Sequence, residues 1–114
     1  MALYEKSISL ARDHKIPLSK VVTGLAFYGR HVGHHQARPY HMLIGSHIHA
    51  KANYAGPFYF NSPIVIEQKT RLARSEGLGG VMLMELRHDV QPVGDERSLT
   101  RGVQRGLSPE KNEL

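Results

Sequence analysis

The chain has 114 residues, a mass of 12.8 kDa, no cysteine, no tryptophan and a formal charge of +5. That length suits one domain with a modest core. The missing cysteine excludes a disulfide framework, a thiolate metal site and a cysteine nucleophile. The longest apolar run, Gly79 to Met84, falls far short of the roughly 20 residues that cross a bilayer. The opening MALYEKSISLARDHK has no secretory apolar core, so a cytoplasmic chain is expected.

The elements read in chain order as follows. Leu3, Ser7, Leu10, Ala11 and His14 share one face at helical spacing, which predicts a helix from Leu3 to about His14, within a segment 1–20 closed by Pro17. Val21 to Tyr28 (VVTGLAFY) hardly alternates and suits a strand buried on both faces, as in a parallel sheet. The strand segment runs 21–30, and Gly24 in its middle suggests close backbone packing. Residues 31–60 carry Gly33, Pro39, Gly45, Gly56 and Pro57 among His and Tyr, and read as a long His-rich insertion loop with a small hairpin around Met42–His49.

Ser62-Pro63 is an N-cap and first-turn signature. Val65, Ile66, Lys69, Leu72 and Ala73 form the stripe of the helix that follows, with Gly77 as its left-handed cap. VMLMEL (81–86) is the second apolar strand and completes the segment 61–90. Leu99, Val103 and Leu107 mark a last amphipathic helix within 91–114, ahead of a frayed tail. Strands separated by a helix imply a βαβ crossover and a parallel sheet. Two parallel strands cannot bury both their faces alone, so the chain either adds strands within the loop or pairs with another chain.

No carboxylate occurs between Asp13 and Glu67, while Lys15, Lys20, Arg30, Arg38 and Lys51 do. This basic interval would attract phosphate. It lacks the clustered Lys and Arg of a nucleic-acid face and matches no nucleic-acid motif, so nucleic acid is not the expected partner. His31, His34, His35, His47 and His49 could place imidazoles around zinc. They lie on a loop without a nearby acidic second shell, and solvated histidines are the simpler reading. No cofactor is implied.

LSKVVTGLAFYGR (18–30) and FNSPIVIEQKTRLARSEGLGGVMLMELRHD (60–89) together resemble the C-terminal part of the family-18 glycoside hydrolases, the chitinase family. The resemblance covers roughly residues 3–105. It implies a partial (β/α)8 TIM-barrel fragment, the last strands and helices, forming a single domain over 1–114. Val21–Phe27 would be the seventh strand and Val81–Leu86 the eighth, with helices six and eight at the two ends of the chain. A whole barrel takes about 250 residues.

The resemblance also assigns roles. Tyr28 and Arg30 would line the cleft and donate hydrogen bonds to an N-acetylglucosamine-containing glycan. Met84 stands where the family has a Trp that provides a flat sugar-stacking face. Glu85 anchors the strand end. The family's catalytic run Asp-x-x-Asp-x-Asp-x-Glu has no counterpart here, and without its Glu the leaving oxygen has no general acid. The chain alone is therefore expected not to hydrolyse glycosides, whether it is a truncated product, a piece of a longer and secreted parent enzyme, or one subunit of a multi-chain barrel. The alternatives are a homo-oligomerising interaction module, whose strand edges pair with another copy or a barrel-forming partner, and a His-rich metal-binding protein. Met82 is expected in the core, and Asp89 is expected to cap the turn after the second strand.

Overall fold

A computed structural model of the protein describes residues 2–45, 50–91 and 95–108. Helix α1 (Ala2–Asp13) leads through a short 3-10 turn (Leu18–Lys20) into β1 (Val22–Ala26). Strands β2 (Tyr28–His31) and β3 (Ala37–Pro39), the single helical turn α2 (Tyr40–Leu43), and strands β4 (Tyr54–Ala55) and β5 (Phe58–Tyr59) follow. Helix α3 (Pro63–Ser75), strand β6 (Gly80–Met84) and helix α4 (Leu99–Leu107) complete the order.

These elements build two sheets. β1 and β6 pair in parallel, Val22 opposite Gly80 through Ala26 opposite Met84. The expected crossover is thus present, with α3 inside it. β3, β2, β5 and β4 form a separate four-stranded antiparallel sheet. Residues 21–30 are not one strand, as the sequence suggested, but serve both sheets and change over at Phe27. Its N–H still donates to the Met84 carbonyl (2.8 Å), whereas its own carbonyl accepts from the Tyr40 N–H (3.1 Å). With Phe27 fully buried, the backbone beyond it has left the reach of β6 and takes partners from 37–39 and 58–59.

The insertion 31–60 is accordingly not a plain loop. A hairpin lies at 54–59; of the expected one around 42–49, Met42 and Leu43 belong to α2, and residues 46–49 lie outside the described residues. Ala55 pairs with Phe58 across a two-residue turn in which Gly56 has φ 59°, the backbone region that turn position reserves for glycine. These added strands extend the antiparallel sheet and leave the parallel one at two strands.

The core gathers Tyr4 and Ile8 of α1, Leu25, Phe27, Tyr40, Ile44, Phe60, Ile66, Val90, Leu99 and Val103. The buried face of α1 is therefore Tyr4 and Ile8, and the expected face is wrong, for Leu3 and Leu10 are exposed. Tyr4 wins through its hydroxyl, which donates to the Lys69 carbonyl (2.9 Å) and, having spent its one proton, accepts from Thr23 (2.6 Å). Helix α3 starts as expected: Ser62 Oγ accepts from the Val65 N–H (3.3 Å), Pro63 stands at N1, and Gly77 follows the C-terminus at φ 74°. Its buried stripe is Pro63, Ile66, Thr70 and Ala73.

Against that stripe α4 lays Leu99, Gly102, Val103 and Gly106, while Leu107 is exposed. The two glycines set the spacing. A Cβ on Gly102 would stand 2.6 Å from the Pro63 carbonyl oxygen, and one on Gly106 would stand 2.5 Å from Thr70 Cβ.

Asp89 does more than cap the turn after β6. It is buried, and its carboxylate accepts from the N–H groups of Val90, Leu99 and Thr100 and from the Ser98 hydroxyl, at 2.7–2.8 Å. The strand end is thereby tied to the first turn of α4, where free N–H groups favour a carboxylate.

Candidate functional site: a cleft beyond the end of the first parallel strand

Beyond Ala26 the chain turns into β2, whose residues alternate between faces. Tyr28 and Arg30 share one face, and the Arg30 guanidinium lies over the Tyr28 ring at 5.6 Å. Arg30 stands opposite Tyr59 on β5, and Tyr59 stands opposite Tyr54 on β4, so these side chains continue the same face. The Tyr54 and Tyr59 rings are 6.4 Å apart, both exposed. Phe58 alternates to the other side and is buried.

Two recesses flank the Tyr28–Arg30 pair. One, of about 260 Å³, is lined by Ala26, Tyr28, Arg30, Tyr59, Phe60, Asn61 and Lys69. The other, of about 220 Å³, is lined by Tyr28, Arg30, Ala37, Arg38, Pro39 and His88. Neither is lined by a carboxylate. At the floor of the first, Asn61 donates to the Ala26 carbonyl (3.3 Å) and accepts from Lys69 Nζ (3.0 Å). Burial lowers the Lys69 pKa from its ordinary value, and its ammonium also lies 5.5 Å from the Tyr4 ring centroid.

The structure thus brings two sequence-predicted residues, Tyr28 and Arg30, into one cleft and leaves the other two outside its lining. Met84 is paired with Ala26 but exposed on the bare side of the parallel sheet. Glu85 is engaged in local order. It caps the 3-10 turn Leu86–His88 in a reciprocal arrangement with His88, and pairs with Arg87 at 2.7 Å. The sequence reading missed Tyr59, Asn61 and Lys69. The alternation of the run Phe58-Tyr59-Phe60, apolar ring either side of a tyrosine, was the signal for Tyr59.

The histidines gather only in part. The His31 and His34 rings are 4.6 Å apart, and His31 Nδ1 accepts from the Gly33 N–H (3.0 Å), which leaves Nε2 as its free nitrogen. His35 is exposed, and His47 and His49 lie outside the described residues. Among the described residues no group of three His, Asp or Glu could hold a metal ion. Nor is any of their helices long and apolar enough to cross a membrane.

No protein-family profile matches the chain, and no curated protein does. Solved structures do. A chitinase from Bacteroides thetaiotaomicron matches with a TM-score of 0.79 at 23% identity, over 94% of this chain and 38% of that one. The family-18 chitinase ChiB, from the chitin utilization locus of Flavobacterium johnsoniae, matches with a TM-score of 0.73 at 22% identity, over 93% of this chain and 34% of that one. The chain resembles a region of a family-18 chitinase in fold, and spans little more than a third of the length of either protein.

Proposed function

We propose that this chain is the closing segment of a chitinase-like barrel and supplies part of the cleft for an N-acetylglucosamine polymer. β1 and β6 stand as its last two strands, and the antiparallel sheet as an insertion between them. The observation that carries this reading is the Tyr28–Arg30 pair. It sits just past the C-terminal end of a parallel strand, where barrels of this kind place their sites. An aromatic ring with a cation on the same face offers a flat surface and hydrogen-bond donors to a sugar. The segment brings no carboxylic acid to that cleft and does no hydrolysis alone.

The test is a titration of the 114-residue chain with the N-acetylglucosamine tetramer, followed by amide NMR. Shifts centred on residues 26–30 and 59–61 that vanish in Tyr28→Ala are expected. Shifts absent from those residues at millimolar sugar would overturn the cleft assignment. Turnover of a chromogenic N-acetylglucosamine oligomer, lost in Glu85→Gln, would overturn the inactive reading.

A second reading is favoured by a specific surface. Val22, Met82 and Met84 are exposed on one face of β1–β6, and each of the two strands has an outer edge with no described strand beside it. In this reading the face and edges are where further strands dock, from a barrel-forming partner chain or a second copy. Light scattering across a range of concentrations tests it: a monomer at every concentration, at 12.8 kDa, removes the second copy.

A further inference from the structure

The cleft of about 260 Å³ carries two cationic groups and no counter-charge. Arg30 makes no ion pair among the described residues, and its guanidinium rests on the Tyr28 ring. Lys69 is half-buried, and its one hydrogen bond goes to the neutral amide oxygen of Asn61. That amide is held in place because its nitrogen donates to the Ala26 carbonyl. An ammonium has three donors; one goes to Asn61 and the ammonium also faces the Tyr4 ring at 5.5 Å, which leaves at least one donor for a ligand. A half-buried cation with no carboxylate beside it gains when an anion arrives to pair with it. A neutral polysaccharide would leave that pairing unmade.

The rest of the cleft suits a sugar rather than a bare anion. Tyr28 and Tyr59 lie on its walls, and Tyr54 continues the row outward from Tyr59. We infer that the cleft takes a carboxylate-bearing amino-sugar unit of a glycan, its acidic substituent between Arg30 and Lys69 and its ring against Tyr59. The inference rests on the glycan reading above and narrows it from neutral chitin to an acidic polymer.

The probes are the disaccharide N-acetylglucosaminyl-N-acetylmuramic acid, its methyl ester, the neutral N-acetylglucosamine tetramer, inorganic phosphate and a short single-stranded RNA. Each is titrated into the intact labelled chain, with the amide spectrum as the check on folding. The acid should bind about tenfold tighter than its ester, the worth of one charge-assisted hydrogen bond. That ratio should fall towards one in Lys69→Met and in Arg30→Gln, and persist in Lys69→Arg. Arg30 is exposed and its guanidinium rests on the Tyr28 ring, so its variant remains informative if Lys69→Met unfolds.

Equal affinity for acid and ester overturns the inference while leaving the glycan cleft standing, provided the tetramer still binds. Binding of phosphate or RNA at these residues, with no sugar bound, overturns both readings. The same holds if no probe binds.

Discussion

The parallel and antiparallel sheets are fed by one stretch of chain, Val22 to His31, yet they solve the burial problem in different ways. In the parallel pair, Leu25 is fully buried and Val81 and Leu83 pack towards the core, while Val22, Met82 and Met84 face outward. Both faces are apolar in sequence, and the described residues cover only one. The antiparallel sheet puts Phe58 on its inner side and Tyr28, Arg30, Tyr54 and Tyr59 on the other, so its outer face is compatible with water as it stands. Among the described residues the first sheet leaves an apolar face uncovered, whereas the second turns polar and aromatic side chains to its open face.

The strongest probe of that difference acts where the parallel sheet is fastened to the helices. Replacing Asp89 by Ala leaves the Val90, Leu99 and Thr100 N–H groups and the Ser98 hydroxyl without their acceptor. Each orphaned group costs about 1–3 kcal/mol, so four of them at the low end give a loss near 4 kcal/mol, a large share of a small domain's stability. Urea denaturation checks it, and Asp89→Asn, which keeps an acceptor oxygen, should lose about half as much. A loss under about 1 kcal/mol in Asp89→Ala would mean that α4 is held by its packing alone.

That packing is the next probe. Gly106→Ala puts a methyl 2.5 Å from Thr70 Cβ, both backbones being helical and unable to yield locally. Overpacking costs about 1–3 kcal/mol, and alanine returns nearly 1 kcal/mol in helix propensity, so a net loss of up to about 2 kcal/mol is expected. Leu107→Ala, one residue on and exposed, is the control and should be nearly silent. If Gly106→Ala instead raises the melting temperature, α3 and α4 are less closely seated than the structure has them.

What the sequence disclosed follows the same division. Ser62-Pro63 announced α3 because a cap is local chemistry, and VVTGLAFY with VMLMEL announced a parallel pair because two-sided apolar strands have few other uses. The change of sheet at Phe27 left no mark, since which carbonyl its N–H meets is decided by Met84, distant in the chain. The hairpin at 54–59 was hidden by strands of two residues, too short to alternate, although Gly56-Pro57 carried its turn. On α1 the eye follows Leu3 and Leu10, whereas the fold follows the hydroxyl of Tyr4. For the cleft, Tyr28 and Arg30 were legible at the end of an apolar strand, and their role there came from the family resemblance. Asn61 and Lys69 join them only because α3 folds back beside β1, which no spacing in the sequence expresses. The expectation of Met82 in the core failed for a reason the sequence itself contained: two parallel strands have a second face, and nothing within the described chain covers it.

Acid supplies a gentler probe of the region joining the two sheets. Asp95 accepts from the Arg97 guanidinium at 2.9–3.0 Å and from the Arg97 N–H at 2.8 Å, which lowers its carboxyl from 3.8 to about 2. Arg97 in turn donates to the Gly45 carbonyl, and its own carbonyl accepts from the buried Tyr40 hydroxyl. Because the folded carboxyl is the more acidic, the stability it contributes is complete above pH 4 and is lost as the pH falls towards 2. Melting temperatures measured between pH 6 and pH 2 should therefore show a steeper acid fall in the wild type than in Asp95→Asn. Parallel curves would mean that the pair is equally formed in the unfolded chain. Both side chains are about one-fifth exposed, so solvent screening keeps this effect below those of Asp89 and Gly106.

The smallest expected effect tests the comparison at its root. Met82 is 48% exposed, and its Cε lies 3.6 Å from where a Cβ on Gly24 of the neighbouring strand would stand. Met82→Ser in the 114-residue chain should then cost no more than about 0.5 kcal/mol, as for an ordinary surface site. A cost of 2 kcal/mol or more, on the scale of a buried methionine, would mean that the face is covered in solution. The concentration dependence of that cost separates the two ways of covering it. A loss that grows with protein concentration belongs to an interface between copies, because association adds its free energy to folding by mass action. A loss independent of concentration belongs to the chain itself closing over its own sheet. The near-silent result leaves Met82 and Met84 open on the surface, as the proposed docking of further strands requires.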